Sequence, residues 1–246
     1  MEPLSGGLAR TSRVAAVRAA AVTGQLEVDQ LAAVLYRAGG ATVGRHRDSR
    51  WATQLTDVAR RSAGPGFDLY ALTRTEAWTS WNLPGVDPAG LEHKLYVSPT
   101  VAALPRALPI VFARNVELHV PAWKVGAGAP GLYRPDKIVC YFATPTAAVR
   151  AGRQLALALR GVPAQGVPFS GALDKSGIVS WGRDLDGRSW RLMVCAALAR
   201  ELVAARQRLG IAATAERVAA AALDALGNAG LDVVHWHPSV PEPVAA

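Results

Sequence analysis

Apolar positions recur at helical spacing over residues 11–38, at Val14, Val17, Val22, Leu26, Leu31, Val34 and Leu35. This pattern predicts one or two helices that end before Gly39-Gly40. Residues 51–62 and 70–80 read as further short helices divided by the turn Ala63-Gly64-Pro65-Gly66. The loop from Asn82 to Gly90, rich in Gly and Pro, is the clearest boundary in the chain. Beyond it, His93 to Ser98 alternates as a strand does, and Lys137 to Phe142 is β-branched and aromatic, a second strand.

Between those strands, residues 99–113 have helical spacing but carry Pro105 and Pro109, so a short or kinked helix is expected. Val116 to Val125 reads as a strand pair, or one strand bent at Pro121. Thr144 followed by Pro145 is a helix start, and that helix runs to Arg160-Gly161. Residues 162–188 predict an extended loop with a short strand near Ile178–Trp181. Helices follow over 189–209 and 214–227, then an apolar segment, Leu231 to Trp236. The order implies an α+β fold: a mixed, mostly antiparallel sheet with flanking helices and a helical N-terminal region. We expect the helical region at 1–80 to pack on an α+β domain at 81–236, with a loose tail at 237–246.

Charge adds a preference for anions. The 246 residues carry 27 Lys and Arg against 19 Asp and Glu, a net charge of +8. The excess is scattered, with no basic run and no tryptophans set along a basic strand, so a nucleic-acid partner is not expected. No segment approaches the roughly 20 apolar residues that span a bilayer, and the start lacks the order of a signal peptide. Cys140 and Cys195 sit in apolar runs and read as buried hydrophobes in a reducing compartment, which makes a cytoplasmic protein the expectation.

Phosphate-loop, dinucleotide, zinc-protease and nucleophile-elbow motifs are all absent, and neither a cofactor nor a metal is implied. His235 and His237 lack a third ligand nearby and read as exposed or capping residues. Asp184 and Asp186 lie among Arg183, Arg188 and Arg191, which would neutralise them. More distinctive are cations embedded in apolar or aromatic text: Lys94, Lys124, Arg134, Lys137, Arg183 and Arg191. Each alone is explained by a stem lying on an aromatic neighbour with its head in water. Together they suit an enclosed anionic site, phosphate above all. Such crowding also favours the neutral form of a buried lysine, which can then act as a base.

The order of these residues carries a resemblance. Lys94-Leu95-Tyr96-Val97-Ser98, followed by Trp123-Lys124-Val125, resembles the phosphothreonine lyase effectors of enteric pathogens. The longer string, Lys94, Tyr96, Pro99, Lys124-Val125, Arg134-Pro135-Asp136-Lys137, Tyr141-Phe142, Val167-Pro168-Phe169 and Ser180-Trp181-Gly182, looks like the HopA-class type III effectors of plant pathogens and their bacterial relatives. It covers roughly residues 80–200. The resemblance implies elimination of phosphate from a phosphorylated Ser or Thr, without cofactor or metal. Lys124 would be the base, Lys94 would steady the enolate or bridge to phosphate, and Arg134, Arg183 and Arg191, with Lys137, would hold the phosphate. The enteric lyases have His where this chain has Tyr96, so the acid is Tyr96, His93, His119 or none.

Related actinomycete proteins accompany an aminoglycoside-phosphotransferase-like kinase in lanthipeptide and thioamide-peptide clusters. The implied partners are therefore a phosphorylated precursor peptide and that separate kinase. Two alternatives stand beside this reading: a phosphopeptide-binding or kinase-partner protein without catalysis, and an effector acting on host phosphoproteins.

Overall fold

The computed structural model describes residues 6–41, 54, 57 and 60–237. Its helices are α1 (Gly6–Ala21), α2 (Val28–Arg37), α3 (Leu104–Glu117), α4 (Gly128–Tyr133), α5 (Pro145–Ala158), α6 (Trp190–Leu209) and α7 (Ala215–Asn228). Its strands are β1 (Ala71–Arg74), β2 (Trp78–Asn82), β3 (His93–Val97), β4 (Ala122–Gly126), β5 (Ile138–Phe142), β6 (Gly171–Ala172) and β7 (Val179–Arg183). Among the described residues these strands form one sheet in the order β1-β2-β4-β5-β3-β7-β6, with every pairing antiparallel. The expected α+β class with flanking helices is what the chain adopts.

Local chemistry sets the element ends. Thr144 Oγ1 accepts from Ala147 N at 3.2 Å, and Pro145 opens α5 as expected. Gln30 Oε1 reaches back to Glu27 N at 3.0 Å to start α2. Asp184 Oδ1 accepts from Trp190 N at 3.2 Å, so the first residue of α6 is anchored by a side chain from the end of β7. At Gly126 and Gly131 two backbones meet: a Cβ on Gly126 would lie 2.4 Å from the Gly131 carbonyl oxygen. That approach presses α4 against β4 and delivers the chain to Arg134.

Several expectations are corrected. Residues 70–80 are not helical but supply β1 and β2, which turn through Thr75 and Trp78. The period of two wins there because Trp81 faces the core while Trp78 and Ser80 face the other way. Val116 belongs to the last turn of α3, and only Ala122–Gly126 is strand; His119, at a φ of 48°, turns the chain between them. Pro105 and Pro109 are both accommodated within the 14 residues of α3. Helix α1 buries Ala15, Ala16, Ala19 and Ala20, leaving Val14 exposed. Small side chains bring the helix axes close, so the alanine face docks. Of the helix expected over 51–62, residues 54, 57, 60 and 61 are helical and most of the others lie outside the described set, as do 238–246 of the expected tail.

Alternation divides the sheet. One face, with Leu95, Val97, Trp123, Val125, Ile138, Cys140 and Phe142, packs on Leu104, Leu108, Val111 and Phe112 of α3 and Leu155 of α5. Phe67, Trp81, Phe112 and Trp123 form an aromatic cluster there, with ring centres 4.9–6.3 Å apart. A separate core joins α1 and α2 to α6 and α7 through Leu31, Leu35, Leu198, Leu202 and Val218. The helices before the sheet thus pack on those after it. The other sheet face carries the cations.

Candidate active site

Register places the key residues. Lys94 on β3 stands opposite Tyr141 on β5, Ala122 on β4 stands opposite the same Tyr141, and Ser80 on β2 stands opposite Lys124 on β4. Because side chains alternate, Trp78, Ser80, Lys124, Tyr141, Lys94 and Tyr96 all share the face away from α3 and α5. Lys94, Lys124, Tyr141 and Asp184 line an open cavity of about 460 Å³, bordered by residues 88–92.

Tyr141 organises the two lysines. Lys94 Nζ lies 5.2 Å and Lys124 Nζ 5.4 Å from its ring centre, and Lys124 Nζ is also 4.3 Å from the ring of Trp78. Their partners differ. Lys94 is ion-paired with Asp184, whereas Lys124 has no carboxylate or hydrogen-bond partner among the described residues. Burial first, and then the Lys94 ammonium, lower the Lys124 amine to about 8; the Asp136 and Asp184 carboxylates only partly oppose this. About a tenth of such an amine is neutral at pH 7, against well under a thousandth for an ordinary lysine.

Beside the lysines lies a second ionic group. Asp136, 4% exposed, accepts from Arg134 Nε at 3.0 Å, Arg134 Nη2 at 3.1 Å and the Tyr36 hydroxyl at 3.0 Å, with Arg191 Nη1 at 3.2 Å. Burial alone would raise its carboxyl, but the hydrogen bond from Arg134 and the charges of Arg191 and Arg134 outweigh burial and hold it below the usual range. Arg134 lies 4.9 Å from the ring of Trp78, which Lys124 also touches, so one indole links base and guanidinium. Arg134 lines a second groove with Tyr36, Tyr133 and Asp136, and Trp78 stands between it and Lys124. Arg191, 1% exposed, sits behind it, donating to the Pro168 and Tyr36 carbonyls.

The structure therefore assembles Lys94, Lys124 and Arg134, with Arg191 behind them, and leaves two predicted cations elsewhere. Arg183 follows Gly182, the partner of Lys94, so it projects to the opposite face, where it pairs with Glu92 at 2.9 Å. Lys137 is fully buried and donates to Pro99 O, Gln165 Oε1 and Ser98 Oγ. Tyr96 is 3% exposed, packed with Val139, Tyr141 and Val167, and burial holds its phenol well above the ordinary value. His93 faces the core side against Trp181, and His119 lines a different groove with Thr144, so neither offers the cavity an acid. Asp184 is neutralised by Lys94 and not by the arginines expected to do so. His235 pairs with Asp232, and His237 Nδ1 accepts from Trp181 Nε1 at 2.7 Å.

No protein-family model and no curated protein matches the chain. Solved structures do. The effector protein from Pseudomonas syringae pv. tomato strain DC3000 aligns with TM-score 0.56 at 12% identity over 93% of this chain and 97% of that one. The effector protein from Pseudomonas syringae pv. syringae strain 61 gives the same values. This chain has the fold of those effector proteins. The resemblance read from residues 80–200 is thus borne out at the level of fold, and it extends over the helical layer that the motifs did not reach. The type III effector/phosphothreonine lyase OspF from Shigella flexneri aligns more loosely, with TM-score 0.42 at 12% identity over 68% of this chain and 100% of that one.

Tyr36, Trp78, Asp136 and Tyr141 were not singled out in the sequence as site residues. Asp136 and Tyr141 stand inside the motifs that carry the resemblance, but those motifs assign them no role. Trp78 was hidden by a helical reading, and Tyr36 lies on a helix whose pattern speaks only of packing.

Proposed function

We propose that this protein is a phosphoserine/phosphothreonine lyase acting on a peptide, and that its substrate is a kinase-phosphorylated precursor of a lanthipeptide or thioamide peptide. The observation that carries the reading is Lys124: an amine lowered to about 8, resting on two ring faces, beside a second lysine in a cavity. Lys124 takes the Cα proton of the phosphorylated residue. The electron pair forms the Cα–Cβ double bond, the Cβ–O bond breaks, and inorganic phosphate departs, leaving dehydroalanine or dehydrobutyrine. Lys94 faces the developing enolate oxygen, and Arg134, backed by Arg191, receives the phosphate. The Tyr96 phenol, held well above its ordinary value by burial, stays protonated through the step. A separate kinase of the aminoglycoside-phosphotransferase type supplies the substrate.

Mass spectrometry of a phosphothreonine peptide incubated with the protein tests this: a lyase removes phosphoric acid, a phosphatase restores the hydroxyl, and a binding protein leaves the mass unchanged. The last outcome corresponds to a second reading, a phosphopeptide-binding module. It is favoured by one observation: Tyr96 stands where the enteric lyases carry their acid His, and burial holds its phenol protonated.

A further inference from the structure

Helix α2 belongs to the helical layer that packs on α6 and α7, yet one residue of it enters the ionic group beside the cavity. The Tyr36 hydroxyl donates to Asp136 Oδ2 at 3.0 Å and accepts from Arg134 Nη2 at 3.4 Å. Its ring lies 4.5 Å below the Arg191 guanidinium and 5.9 Å from that of Arg134. Its own carbonyl takes Arg191 Nη2 at 2.8 Å. A single residue of the N-terminal layer thus touches both arginines and their shared carboxylate.

The geometry counts against plain packing as the whole account. Two guanidiniums and one carboxylate leave this group with one excess positive charge, and Arg134, its most exposed member, can offer that charge to an incoming anion. Without the hydroxyl, Arg134 Nη2 keeps its 3.1 Å bond to Asp136 Oδ2 but loses its second partner, and that same Oδ2 loses the Tyr36 donor that steadies it. A planar guanidinium recognises phosphate through paired N–H groups, so its orientation matters as much as its presence.

We propose that Tyr36 is a positioning residue: its hydroxyl, reaching in from α2, orients Arg134 for the substrate phosphate, so the N-terminal helical layer completes the anion site. This rests on the reading of Arg134 as a phosphate ligand. The α1–α2 layer is then part of the substrate site as well as of the scaffold.

The test is Tyr36→Phe, which keeps both ring contacts and removes only the hydroxyl. Equilibrium binding of a phosphothreonine peptide and of its unphosphorylated counterpart is measured for the parent, Tyr36→Phe, Arg134→Ala and the double variant, each carrying Lys124→Ala so that the peptide is not consumed, with Tm confirming the fold. Loss of a hydrogen bond within a charged group predicts about tenfold weaker binding of the phosphopeptide, and none for the plain peptide. On the Arg134→Ala background, Tyr36→Phe adds no further loss. In phosphate release, the same variant raises KM with kcat little changed. Parental affinity in Tyr36→Phe, or an undiminished loss on the Arg134→Ala background, overturns the proposal. If the parent binds the phosphopeptide but never eliminates phosphate, the lyase reading falls while the hydroxyl effect on binding stands. If the parent does not distinguish the two peptides, both fall.

Discussion

Replacing Lys94 with Met tests the electrostatics on which the proposed base depends. The ammonium groups of Lys94 and Lys124 lie 5.2 and 5.4 Å from one ring centre. Even at about 11 Å, the largest separation those distances allow, two unit charges at an effective dielectric of about 20 interact by about 1.5 kcal/mol, or about one pKa unit. Removing Lys94 also frees the Asp184 carboxylate, which favours the Lys124 ammonium and acts in the same direction. The amine, now at about 8, should move up by at least about one unit, cutting the neutral fraction at pH 7 roughly tenfold.

The assay is inorganic phosphate release from a phosphothreonine peptide between pH 6 and 10 at constant ionic strength. In the parent, kcat/KM rises with pH through a midpoint near 8 and levels above it, because the reactive form is the neutral amine. In Lys94→Met the midpoint should move to about 9 or beyond, and any deficit left on the plateau reports the lost support of the enolate. Lys94→Arg, which keeps the charge, should hold the parental midpoint. A Lys94→Met midpoint at or below the parental value would refute the reasoning, since neither the lost cation nor the freed carboxylate can lower it.

Further outcomes follow from the same structure. Lys124→Ala should reduce elimination by at least about a hundredfold while phosphopeptide affinity stays within about threefold, measured by phosphate release and by calorimetry; near-parental turnover would remove Lys124 as the base. Arg183→Ala, altering a side chain on the opposite face paired with Glu92, should leave phosphopeptide affinity within about twofold of the parent in the same calorimetry. Lys137 is lowered by burial from 10.5 to about 7, so between those values the unfolded chain binds more protons and the native state gains stability as pH rises. Urea unfolding should show the difference between parent and Lys137→Met flat below pH 7 and shifting in the parent's favour from 7 toward 10; a difference independent of pH would contradict this.

The pattern of residues by itself determined the class of the fold, because burial of apolar rows is a local, periodic signal. Ile138–Phe142, the Thr144 cap, and the helices α6 and α7 were all legible for that reason. So was the set of candidate cations, since a lysine between Trp123 and Val125 must, on a strand, face away from its neighbours. Only the tertiary structure decided which cations meet. Arg183 and Lys94 sit on adjacent strands, but a one-residue offset sends them to opposite faces. Lys137, one residue from Asp136, is satisfied by a loop that the chain brings back at Gln165. Trp78 and Tyr36 reach the group around Lys124 and Arg134 through a hairpin and a helix whose local sequence signals speak of other things. Charge pairing acts through space over a few ångströms, and no spacing along the chain encodes which carboxylate lies within that reach.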